Sequence, residues 1–350
     1  MVDEKFLQQR RQFLKSFVKY SLLGLSGFST PIIGNFLEKA QAQTKTSGIN
    51  TNVVRLGYQT YGDIVRLKGV LEQPLKALGV DIDWAPFPAG PQLLEAMSAG
   101  RVDIGSVGET PPIFAQAAGA QLVYIAGRKP SKGEGSGLIV RQDSPIKRVA
   151  DLKGQKVVFQ KGSASHYLLL RALQEAGLKY SDIQPISLTP AEARDAFIQK
   201  KIDAWVTWDP FYAFVQKTAN ARTLRNAAGI ATQGGFYLAR REFAVQNPGV
   251  VKVVLEEIDK LGQWAEANPT EVVKLLAPEL KLDPAILEVA VRRRTYTLRK
   301  LTPNLISEQQ RIADVFYQEK VIPRKIDIKQ ALLTTQQYTA LTPPRLLSQR

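Results

Sequence analysis

"EAMSAGRVDIGSVGETP", residues 95–111, decides how the whole chain is read, because its counterpart stands one hundred positions later as "DAFIQKKIDAWVTWDP", residues 195–210. Glu95 lies over Asp195, Ala96 over Ala196, Met97 over Phe197, Arg101 over Lys201, Val102 over Ile202 and Asp103 over Asp203. Each copy reads as the end of an amphipathic helix, a turn and a short apolar strand. An acid and a proline then open the next helix. Two blocks with the same order of elements predict two lobes of like construction.

The pattern extends in both directions. "VVRLGYQ" (53–59), "VDIDWAPF" (80–87), "VDIGSVG" (102–108) and "LVYIAG" (122–127) are strand-like. Between them, "GDIVRLKGVLEQPLKALG" (62–79) is helical apart from Pro74, as are "PQLLEAMSAG" (91–100) and "PPIFAQAAG" (111–119). The rhythm restarts after Pro145 with "KVVFQ", "SASHYLLLRALQEAG", "IQPISL", "PAEARDAFIQKK", "DAWVTW" and "DPFYAFVQKTA". Strands alternating with helices predict an α/β protein whose sheets are mixed but mostly parallel and covered by helices.

In such a sheet the carboxyl ends of the strands and the amino ends of the following helices share one edge, and two facing edges make a ligand cleft. The candidate site follows from that geometry. Gln59, Tyr61 and Gly62 form the first strand-to-helix turn. Gly108 and Glu109 form the next, with Thr110 as expected N-cap ahead of Pro111. In the second half Ser163 is the expected N-cap, with the N–H groups up to His166, and the hydroxyl of Ser165, turned toward the cleft. Trp208 ends a strand at the same edge, and Asp209 caps the helix after it. Trp205, three residues earlier, belongs to the other face and to the core. The expectation is an anion head held by neutral donors alone, with its tail toward Trp208 and Tyr61.

Much chemistry is absent. His166 is the single histidine and there is no cysteine, so a zinc site lacks ligands. No nucleophile elbow, phosphate-binding loop or dinucleotide fingerprint occurs. Asp103 and Asp203 sit at strand starts, away from the expected cleft, and are read as structural. No catalytic residue, metal or cofactor is expected. The net charge of +15 suits an anionic partner. The basic residues are scattered, however, and the one tight run, Arg292 to Arg294, is read as a solvated helix face rather than a nucleic-acid patch.

The first 42 residues read as an export signal. Arg10 and Arg11 precede Phe13, Leu14 and Lys15, a moderately apolar stretch broken by glycines follows, and "AQA" closes it. The pattern is of the twin-arginine type, with Gln9 where Ser or Thr is usual. The stretch is short and holds Lys19, which argues against a permanent span.

"SVGETPPIFAQAAGA", "DSPIKRVADLKGQKV", "KGSASHYLLLRALQEAGLKYSDI", "DAWVTWDPF" and "FYLARREFAVQNP" together resemble the periplasmic aliphatic-sulfonate-binding proteins of ABC importers, within the nitrate/sulfonate/taurine group. The resemblance runs from Val53 to Pro323. It implies a two-lobed venus-flytrap fold of the periplasmic-binding-protein type, without enzymatic activity. It also implies two crossings between lobes, placed near Gly137–Arg141 and Gly234–Ala239. The domains expected are 1–42 for the signal, 51–138 with 237–345 for the first lobe, rejoined by helices including "SEQQRIADVFYQE", and 139–236 for the second. The partners implied are a small organic anion (an alkanesulfonate) and an ABC permease of the inner membrane. The protein is expected to be a periplasmic monomer with no nucleic-acid partner. Members often carry a lysine after the glutamine of the first turn, where this chain has Thr60, which leaves taurine, nitrate or another small anion open as ligand. A ligand-sensing receptor of the same fold stays open too. The fold also hosts a desulfinase with a cysteine nucleophile and a cysteine-rich thiamin-pyrimidine synthase. A chain without cysteine fits neither.

Overall fold

The structure is a computed structural model, and it describes residues 48–231 and 234–349. The expected export signal lies outside the described residues. Two mixed sheets form the frame. The first contains β1 (Val53–Gln59), β2 (Asp81–Phe87), β3 (Ile104–Val107), β4 (Leu122–Arg128), β10 (Phe236–Arg240) and β11 (Leu298–Arg299), in the order β11-β4-β10-β3-β1-β2. The second contains β5 (Ser136–Arg141), β6 (Lys156–Phe159), β7 (Gln184–Ser187), β8 (Ala204–Trp208) and β9 (Ala221–Asn226), in the order β7-β6-β8-β5-β9.

The two orders match once β1 is set over β6, β2 over β7, β3 over β8 and β4 over β9. In each sheet these four strands run one way. The strand contributed from across the cleft, β10 or β5, runs against them between the third and fourth. The match extends to single bonds. Gly100 and Lys200 both adopt positive φ after their helices, and Arg101 N–H and Lys201 N–H close back onto Ala96 and Ala196 at 2.8 and 2.9 Å. The Asp103 carboxylate accepts the Arg55 N–H at 3.0 Å, and the Asp203 carboxylate accepts the Lys156 N–H at 2.9 Å. Both aspartates tie a first strand to a third at the edge opposite the cleft.

The crossings differ slightly from expectation. β5 pairs wholly within the second sheet and β10 wholly within the first, so neither expected crossing falls within a strand of the sheet it leaves. Residues 136–138 pair in the second sheet. The long first helix is also corrected. It is two helices, Ile64–Lys68 and Glu72–Ala77, parted at Gly69, which takes the left-handed conformation (φ 64) that ends a helix at low cost. Pro74 does not break the second helix, because it stands in the first turn, where an N–H has no intrahelical partner.

Alternation decides what each strand buries. Val54 and Leu56 of β1 enter the first lobe's core with Ile104, Val123 and Ile125. Trp205 of β8 is 1% exposed against Phe197, the core position expected for it. The helix Ala164–Glu175 is apolar on more than one side. Leu168, Leu169 and Leu173 pack into the second lobe, while Tyr167 and Leu170 pack into the core of the first. That helix is therefore a seam between the lobes.

Candidate functional site

The carboxyl ends of β1, β3, β4 and β8 converge on one cavity of about 840 Å³, counted with the space open at its mouth. Of the expected residues, Gln59, Tyr61, Gly108, Glu109, Ser163, Trp208 and Asp209 line it. The two lobes nearly touch there. A Cβ on Gly108 would stand 3.3 Å from the Cβ of Ala164, so the bare glycine lets the first lobe's turn meet the second lobe's helix.

Four expected residues lie outside this lining. Gly62 borders a second space behind the cavity, with Asp63, Tyr237 and Tyr296. Thr110 is fully buried, in helical backbone, and makes no capping bond. With Pro111 and Pro112 lacking N–H groups, the first free donor is Ile113, which bonds the Thr110 carbonyl at 3.0 Å. Ser163 does cap its helix, but the Ser165 and His166 N–H groups expected to face a ligand are bonded within the turn. Its hydroxyl accepts the Ser165 N–H at 3.3 Å and its carbonyl accepts the His166 N–H at 3.0 Å. The Ser165 hydroxyl, 2.8 Å from that of Ser163, accepts the Gln160 N–H. His166 turns inward among aromatic rings, and burial lowers its pKa to about 3.

Beside the neutral donors expected, three arginines stand in the lining, Arg128, Arg293 and Arg294. Arg128 ends β4. Among the described residues its guanidinium makes no ion pair, and its Nε has no hydrogen-bond partner. Burial and the charge of Arg294 both depress its pKa. The "RRR" run divides. Arg292 is the solvated residue, 58% exposed and paired with Glu288. Arg293 and Arg294 follow the last turn of the helix Pro284–Arg292 and swing into the cavity. Arg294 donates to the Gly62 carbonyl at 3.3 Å. Arg293 reaches across the cleft, 3.6 Å from the Asp209 carboxylate, and donates to the Gln216 amide oxygen at 3.1 Å. The signal for Arg293 and Arg294 was their place after a helix end rather than within one. Arg128 carried none beyond ending its strand.

Two acids share the wall. Burial pushes Asp209 up to about 6 against the pull of Arg293, and from just before the N-cap, Pro210, its Oδ1 accepts the Ala213 N–H at 2.9 Å. Burial also raises Glu109, with Arg128 opposing. Tyr61 donates to Gln59 Oε1, and its ring meets Trp208 edge-on at 5.6 Å, forming an aromatic wall. Thr60, in the place of the family's lysine, is exposed and holds the Phe87 carbonyl through its N–H at 3.1 Å. The cations come from elsewhere in the fold.

A family model described as "NMT1/THI5 like" matches residues 75–272. The aliphatic sulfonates-binding protein of Escherichia coli (strain K12) is 40% identical over 322 residues, 91% of this chain and 97% of its own. The solved alkanesulfonate-binding protein SsuA from Xanthomonas axonopodis pv. citri, bound to MOPS, is 37% identical with a TM-score of 0.77, over 81% of this chain and 98% of that one. The periplasmic aliphatic sulphonate binding protein SsuA from Escherichia coli gives 40% and 0.70, over 81% and 93%. With the matching sheets and the cleft between them, these likenesses mean that the chain belongs to the NMT1/THI5-like family, among its aliphatic-sulfonate-binding proteins.

Proposed function

We propose that this protein captures aliphatic sulfonates outside the cytoplasm and hands them, without chemical change, to a membrane permease of the ABC type. One observation carries the reading: Arg128 and Arg294 stand side by side in the cavity with no carboxylate paired to either among the described residues. Two guanidiniums in a recessed site lose hydration and repel each other, and a bound anion relieves both. A sulfonate offers three acceptor oxygens to them, and Tyr61 and Trp208 offer an apolar wall to its chain. Hinge bending at 129–135 and 227–235 would close the lobes, 51–128 with 236–345 against 136–226. A second reading, an amino-sulfonate such as taurine, is favoured by Glu109 and Asp209 in the same wall, which suit an ammonium group.

A thermal-shift panel separates these. At about 100 times the dissociation constant, a ligand adds roughly 2.7 kcal/mol of stability. Ethane- to hexanesulfonate are expected to shift the melt; nitrate, sulfate and bicarbonate are not. A shift with taurine alone would replace the first reading by the second, and a shift with nitrate alone would end both.

The export route is part of the proposal. Arg10 and Arg11 lie in the order a twin-arginine signal requires, so delivery is of folded protein to the periplasm. Changing both to lysine is expected to leave precursor in the cytoplasm, read by cell fractionation. Unchanged export of that variant would assign the segment to another route.

A further inference from the structure

His166 occupies the seam between the lobes. Its ring centroid lies 4.6 Å from Phe159 and 5.5 Å from Tyr180, both of the second lobe. From the first lobe, Phe114 stands at 5.8 Å and Phe316 at 5.1 Å. The imidazole is fully buried, and its Nδ1 accepts the Gly162 N–H at 3.3 Å. Gly162 begins the turn whose next residues, Ser163 and Ala164, line the cavity. A Cβ on Gly162 would touch the Phe114 ring at 3.3 Å, so the turn rests on the first lobe as well. One side chain thus touches both lobes and fixes the turn that faces the cleft.

We propose that His166 is a positioning residue that couples closure of the lobes to the shape of the Gly162–Ala164 turn, and that it does so only as the neutral imidazole, so that acid opens the lobes. An aromatic box with half its walls on each lobe holds a neutral ring well. A cation there would lose its water, and the Nδ1 acceptor would be protonated. In the closed protein burial takes the imidazole down to about 3, with the Lys161 charge adding to the effect. Opened to water it would return to about 6.5. Protons therefore bind the open form preferentially, and closure weakens as pH falls through that interval.

The other titratable groups at the seam do not act in that range or act with the opposite sign. Tyr180, pushed up to about 12 by burial, stays neutral. Tyr167 is also raised by burial, with the charges of Arg171, Glu109 and Arg311 acting on it. Asp209, at about 6, takes up its proton more readily when buried by closure, and so favours the closed form in acid. Glu109, raised by burial, acts in the same sense. Each pH effect is therefore read as a difference between the parent and a His166 variant, in which the acids cancel.

The test has two arms. The chain has no cysteine, so Ser98→Cys in the first lobe and Lys179→Cys in the second carry spin labels at defined sites. Pulsed dipolar distances on ligand-free protein at pH 7.5 and 5.0 should lengthen in acid in the parent relative to His166→Phe, which keeps a ring without a titrating nitrogen. The second arm, which rests on the anion-binding reading, uses butanesulfonate in calorimetry. Between pH 7.5 and 5.0 the parent should lose several-fold more affinity than His166→Phe, up to the limit of about 30-fold that a shift from 3 to 6.5 sets. His166→Asn, which restores an acceptor for the Gly162 N–H, should follow the same pH profile as the Phe variant. Equal pH profiles in parent and variants would overturn the proposal, and so would parent distances that shorten in acid. If butanesulfonate binds none of them, the anion reading fails while the distance arm still decides. If neither variant folds, the parent's distances decide alone.

Discussion

Arg128→Met is expected to weaken butanesulfonate binding by about 100-fold while leaving the ligand-free protein more stable than the parent. A charge-assisted hydrogen bond is worth roughly 1.5–3 kcal/mol, which corresponds to about 10- to 150-fold in affinity. The opposite sign in stability follows from the same geometry. The guanidinium stands in a recess with no ion pair among the described residues and beside a like charge, so burial and Arg294 both work against its charged form. Methionine fills similar space without that penalty, and a gain of about 1 kcal/mol, or roughly 2 °C in melting temperature, is expected. Calorimetry and a thermal melt on one preparation measure both. A variant that loses affinity and stability together would mean that Arg128 braces the cleft rather than binding in it.

Asp103→Ala is expected to cost about 3 kcal/mol, with no direct loss of binding. Asp103 is 1% exposed, and its carboxylate accepts the Arg55 N–H at 3.0 Å, Arg55 Nε at 2.9 Å and Nη2 at 2.7 Å, and Arg240 Nη2 at 3.2 Å. It thereby holds β1, β3 and β10 together at the far edge of the sheet. Removing one partner of a buried pair typically costs 3–5 kcal/mol. The lower end applies here because both arginines are partly solvated. Asp203, its counterpart, is less buried and accepts the Lys156 N–H, so Asp203→Ala should cost only about 1 kcal/mol. Denaturant melts of the two variants compare them. Equal losses would show that the arginines add nothing to the backbone bond.

These aspartates show what was legible in the sequence. The repeat of residues 95–104 in 195–204 carried the helix, the turn and the strand start, all local in sequence, and it foretold two matching sheets. The order of strands in each sheet was not legible, because β10 and β5 enter from across the cleft and no local pattern marks an inserted strand. The site divides along the same line. Residues at strand ends with a following helix, such as Gln59, Gly108, Ser163 and Trp208, could be placed by counting along the rhythm. Arg293 and Arg294 could not, since Arg293 lies 84 residues after Asp209 (293 − 209) and its approach depends on where the helix before it packs. Ser165 and His166 were misplaced for a different reason. A helix start offers free N–H groups in principle, but a serine cap and the first tight turn use those of Ser165 and His166.

The strand β10 lies between β3 and β4 yet is made 108 residues after β4 ends (236 − 128). On a growing chain, β5 to β9 have all emerged before β10 does, so the second sheet is complete first. The first sheet meanwhile holds β3 and β4 with no strand to join them, two unsatisfied edges exposed to any partner. Synthesis that stalls between Asn226 and Phe236 would leave one finished lobe tethered to one that cannot close. The first lobe's folding is thus tied to the arrival of the last third of the chain, and its non-local pairing makes it the slow step.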